Sequence, residues 1–71
     1  MNISETSLRR TVQETIIDIN KCLMEVQRQA KRMGTEPHII RDEHGNWAYA
    51  PLIVAKAQCL HALTLLQAKE G

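Results

Sequence analysis

The stretch 51–69 places apolar side chains on two sides of one helix. Leu52, Ala55, Cys59, Ala62 and Leu66 recur at three-and-four spacing and mark one stripe, while Ile53, Leu60 and Leu63 mark a second. A helix that is apolar on two flanks has to be covered on two flanks. The chain offers one partner for it, the segment 7–33. There Val12, Ile16, Ile19, Leu23, Val26, Ala30 and Met33 alternate gaps of four and three, the pattern of a helix burying a single stripe. Ile17, Cys22 and Met24 fall outside that stripe. One mate covers one flank, so the chain carries more apolar surface than it can hide by itself.

Local signals bound the two helices. Ser4 and Ser7 are candidate N-caps, and Thr11 with Glu14 has the spacing of a capping box. Gly34 is placed to end the first helix in a left-handed cap, and Pro37 opposes its continuation. The connector covers 34–50. Its centre, Asp42, Glu43, His44, Gly45 and Asn46, is rich in turn formers. His38, Ile39, Ile40 and Arg41 can pair with Trp47, Ala48 and Tyr49 as a short β-hairpin across that turn, or the connector is an irregular loop. Pro51 opens the second helix, since its missing N–H costs nothing in a first turn. The expected fold is mainly α: an antiparallel two-helix hairpin over residues 1–71, with helices at about 7–33 and 51–69, assembled into a helical oligomer.

Size supports self-association. Seventy-one residues make one domain at most. Small chains compensate for a thin core with disulfides, a metal or copies of themselves. With one Trp, one Tyr and no Phe, the apolar content is aliphatic and suits close helix packing. Cys22 and Cys59 are expected to stay reduced, because the N-terminal residues are polar and do not read as an export signal, which makes the cytoplasm the expected compartment. Each cysteine stands alone on a helix and is expected to fill the core. Lys56, Gln58 and His61 interrupt the most apolar stretch, 48–66, and oppose a bilayer-spanning reading. A net charge of +1 argues against coating duplex DNA.

The chemistry-bearing residues are few. No nucleophile–base constellation, paired-carboxylate motif or phosphate loop is present, so no enzyme is expected. Cys22, His38, His44 and Cys59 lack the close cysteine pairs of zinc modules, so neither metal nor cofactor is expected. Arg28, Lys31 and Arg32 crowd the last turn of the first helix, where they complement the helix dipole or serve as a phosphate site. Trp47 and Tyr49 plug the open end of the hairpin, stack on a nucleobase, or present a hot spot to a protein partner.

Ile17, Asp18, Ile19, Asn20 and Lys21 in the first helix, with Trp47, Gln58, Ala62, Leu63, Thr64 and Ala68 further on, resemble a known family. It is that of the small phage sponges, the anti-CBASS proteins that sequester cyclic oligonucleotides. Their helical-hairpin domain also recurs in anti-Thoeris sponges. The likeness spans about residues 15–68 and departs from the family pattern at Pro51 and in the longer connector. It implies a homo-oligomer, typically a hexamer, that binds cyclic di- or trinucleotides between subunits without cleaving them, in the host cytoplasm if the chain is phage-encoded. The chemistry then expected is Arg28, Lys31, Arg32 and Lys56 for phosphates, Trp47 and Tyr49 for bases, and Asn20 and Thr64 for hydrogen bonds. The alternative is a small phage or plasmid protein-interaction module (adaptor, regulator or inhibitor) that docks through its apolar second helix.

Overall fold

The computed structural model describes the backbone of residues 3–70 and the side chains of residues 7–68. Two helices, α1 (Ile3–Met33) and α2 (Tyr49–Glu70), lie antiparallel, joined by a connector with one 3-10 turn at Pro37–Ile39. The hairpin measures 48 × 20 × 14 Å. Its least dimension is close to one helix diameter, so it is a single layer with no second layer to close a core.

Between Ile3 and Met33 there is no glycine or proline to interrupt a helix, and α1 runs unbroken. It begins about one turn earlier than the spacing predicts. Both candidate caps therefore fall within the helix; the side chain of Ser4 lies outside the described residues, and Ser7 sits in a helical turn instead of ahead of it. The Thr11 hydroxyl donates to the Ser7 carbonyl at 3.0 Å, and Thr15 does the same to Thr11 at 2.8 Å. Such bonds to the preceding turn replace the expected box with Glu14. The C-terminus is as expected. Gly34 adopts φ +69°. Its N–H donates to the Lys31 carbonyl at 3.2 Å, while the Thr35 N–H reaches back to Ala30 at 2.9 Å. Together these form the paired bonds of a Schellman cap.

The connector forms neither strand of a β-hairpin. Pro37 tightens residues 37–39 into the 3-10 turn, with the Ile40 N–H donating to Pro37 at 3.1 Å, and Tyr49 already belongs to α2. Only Arg41 and Trp47 remain to pair, through one antiparallel bridge. Starting α2 at Tyr49 puts Pro51 third in the helix. A missing N–H there leaves no bond unmade, because first-turn N–H groups have no intrahelical acceptor.

The core lies at the connector end. Val26, Ala30 and Ile40 are buried together, with Ala48, Tyr49 and Leu52 packed against them. Ala30 is 1 % exposed, and its small side chain leaves room for Ile40 above the helix. Leu23 extends this seam one turn along α1. Two expectations are corrected here. Met33 is 69 % exposed, because the chain turns away at Gly34 just beyond it. Cys22 is exposed rather than a core filler, and Cys59 is half-buried; both thiols are free. Leu52, Ala55, Cys59, Ala62 and Leu66 are all half-buried, so the first stripe of α2 does face α1. Of the second stripe Ile53 and Leu60 are exposed, while Leu63 is half-buried.

Candidate functional site

The connector end carries most of the polar chemistry, and Asp42 organises it. The Asp42 carboxylate accepts the backbone N–H groups of His44 at 2.8 Å and Asn46 at 2.9 Å. The Asp42 N–H donates to the Asn46 carbonyl at 2.8 Å and the Gly45 N–H to the Asp42 carbonyl at 3.0 Å. Gly45 takes φ +82°, which lets the chain reverse within this span. The bond from the Asn46 backbone is the main cause that holds the Asp42 carboxyl below its ordinary value of 3.8; desolvation opposes it, and the His44 N–H adds to the lowering.

Beside this turn the Arg41 guanidinium lies over the Trp47 ring, 3.8 Å from its centroid. One of its nitrogens donates to the Gly45 carbonyl at 2.7 Å. The same two residues form the backbone bridge, so the pairing and the stack fix each other. The Ala48 N–H then donates to the Ile40 carbonyl at 3.0 Å and anchors the start of α2 over the core.

The expected ligand residues are brought together only in part. Arg28, Lys31 and Arg32 are exposed near the same end as Trp47, but Arg28 is paired with Glu25. At about 100° per residue, Arg28 and Arg32 point away from the Val26 and Ala30 seam. Over residues 25–46 the four basic side chains Arg28, Lys31, Arg32 and Arg41 are balanced by Glu25, Glu36, Asp42 and Glu43. Tyr49 is half-buried against the core cluster and sits in α2, so it does not share a strand face with Trp47. Lys56 is half-buried two turns into α2. Asn20 lies roughly 18 Å along α1 from Arg32, and Thr64 roughly 22 Å along α2 from Tyr49, at 1.5 Å per residue. The Thr64 hydroxyl is returned to the Leu60 carbonyl at 3.0 Å. Within one chain these groups enclose no common ligand.

Among the described residues, concavities lie at both ends of the hairpin. A cavity of about 240 Å³ at the connector end is lined by Gln29, Met33, Thr35, Ile39, Ile40 and Arg41. An open groove of about 600 Å³ at the other end is lined by Leu8, Val12, Ala62, Leu65, Leu66 and Ala68. The larger has no polar lining side chain to orient a small ligand. Among the described residues no three His, Cys, Asp or Glu side chains are placed to hold a metal.

Sequence reasoning missed Arg41 and Ile40. The signal for Ile40 is an apolar pair, Ile39 and Ile40, in an otherwise polar connector. That for Arg41 is its place opposite Trp47 across the turn. Lys56, Gln58 and His61 oppose a membrane span, yet Tyr49–Ala68 is long and apolar enough to cross one by length and composition, and none of its residues is fully buried within the hairpin. Comparison with protein-family models, curated proteins and solved structures finds no match to this chain.

Proposed function

We propose that this chain is the subunit of a non-enzymatic homo-oligomer that binds and sequesters a cyclic oligonucleotide in the cytoplasm. One observation carries the oligomer. No residue of Tyr49–Ala68 is fully buried by its own chain, and the side turned away from α1 is exposed, although Lys56 is the only charged side chain in that stretch. An apolar surface of this extent is a contact surface. Lys56, Gln58 and His61 within the helix favour a protein cover over a lipid one.

The ligand class is supported by the connector end and by the resemblance over residues 15–68. The stacked Arg41 and Trp47 pair offers a flat cationic surface to a base or a phosphate, and Lys31 and Arg32 are exposed at the same end of the hairpin. Since one chain encloses no ligand, a cyclic di- or trinucleotide would be held between copies, with cations from more than one subunit. Native mass spectrometry of protein taken from cells reads copy number and retained nucleotide together. Thermal shift and calorimetry against a panel of cyclic di- and trinucleotides then test affinity. Ligand at about 100 times its dissociation constant adds roughly 2.7 kcal/mol to stability, a visible rise in melting temperature. No heat and no shift across the panel removes the nucleotide.

The uncharged outer side of α2 also favours a second reading, a small interaction module that docks on a different protein. A light-scattering mass of one copy in isolation selects that reading.

A further inference from the structure

We infer that two copies of this chain pair through the outer face of α2, antiparallel, about a two-fold axis at Ala57. The inference rests on the self-association proposed above and names its surface.

Area is the first argument. The single chain exposes 5438 Å². A compact protein of its 8.1 kDa exposes about 4,500 Å². Its radius of gyration is 15.3 Å, against about 11 Å for a compact chain of this length. The excess surface, roughly 900 Å², matches the roughly 800 Å² that each partner contributes to a stable interface. Burying about 800 Å² on a second copy brings each chain's exposed surface near that of a compact chain of its mass.

Charge and register give the second argument. At about 100° per residue, the side of α2 turned away from Leu52 and Cys59 carries Ala50, Ile53, Val54, Ala57, Leu60, His61 and Thr64, all exposed. Lys56, the one charge between Tyr49 and Ala68, is half-buried on the side facing α1. A face without Lys, Arg, Asp or Glu meets its own copy without their like-charge repulsion, which a two-fold interface requires, and His61 falls opposite Ile53 of the second copy. Ala50, Ala57 and Thr64 follow each other at heptad spacing along its middle, so two such helices can approach closely. With Ala57 on the axis, Val54 falls opposite Leu60 of the second copy, and Ala50 opposite Thr64. The antiparallel direction sets each helix N-terminus beside the other's C-terminus, the favourable order of their dipoles. The result is a row of four helices with the two α2 helices at its centre.

Single-cysteine chains test this after Cys22→Ser and Cys59→Ala remove the native thiols. Ala57→Cys lies on the axis, within disulfide reach of its copy, whereas Met24→Cys lies on the outer side of α1. Under mild oxidation the expected result is near-complete dimer cross-linking of Ala57→Cys and little of Met24→Cys, with a light-scattering mass of two copies or a multiple. A multi-copy mass without the Ala57→Cys link overturns the α2 face and leaves self-association standing. A single-copy mass overturns both, and flotation of that single copy on phosphatidylcholine vesicles identifies a bilayer as the cover instead. Ala57→Glu, which places two carboxylates on the axis, is expected to lower the mass to one copy. An unchanged mass in that variant also overturns the face.

Discussion

Replacing Ile40 by alanine is predicted to be among the costliest single changes in the connector, and its neighbour supplies the control. Ile40 is 5 % exposed and packs on Val26 and Ala30, whereas Ile39 is 49 % exposed. Ile40→Ala removes three carbons from a packed site, about 2.4 kcal/mol of transfer free energy at roughly 0.8 kcal/mol per carbon. The cavity left behind raises the cost to about 3 kcal/mol. Ile39→Ala removes the same atoms from a half-exposed place and should cost about 1 kcal/mol or less. For a domain of this size each kcal/mol moves the melting temperature by roughly 4–8 °C, so the two variants should differ by about 10 °C or more. Circular-dichroism melts are run at one protomer concentration, because the proposed self-association would make the midpoint concentration-dependent. Equal shifts for both variants, or a larger one for Ile39→Ala, would refute a connector that inserts Ile40 beneath the start of α2.

Other consequences follow from the caps and the turn. Gly34→Ala meets no atom within 4 Å, so its cost is the backbone strain of φ +69° alone, about 1–2 kcal/mol by chemical denaturation. Asp42→Ala leaves the N–H groups of His44 and Asn46 without their acceptor, and amide exchange over 42–48 should speed up while the middle of α1 is unaffected. The Asp42 carboxyl is depressed in the folded chain, so its stabilisation is present above its ordinary value near 3.8 and is lost as pH falls through the lower folded value. Acid titration followed by NMR should therefore loosen the 42–46 turn only below about pH 4, and Asp42→Asn should abolish that step.

The helical hairpin was legible in the sequence because its signals are local and repeat. The three-and-four spacing from Val12 to Ala30 gave the seam, and Gly34 gave the stop. The connector was less legible, since Pro37 and the early start of α2 removed the residues a ribbon needs. Both choices depend on Ile40 and Tyr49 finding the same apolar cluster, which no short window of sequence displays. The candidate ligand residues were chosen by type, and type says nothing about distance. Arg28 meets Glu25, Tyr49 enters the core, and Thr64 lies far along α2. The second apolar flank of α2 was readable from Ile53 and Leu60 and remains uncovered in the hairpin. Physical pattern thus located an exposed apolar surface more readily than anything that would cover it.

That uncovered flank is the centre of the account, and sedimentation equilibrium over a wide dilution range weighs it directly. A mass of two copies or a multiple, falling only at high dilution together with loss of helix signal, is the predicted result. A particle of 8.1 kDa that stays compact and melts cooperatively at every concentration would contradict it.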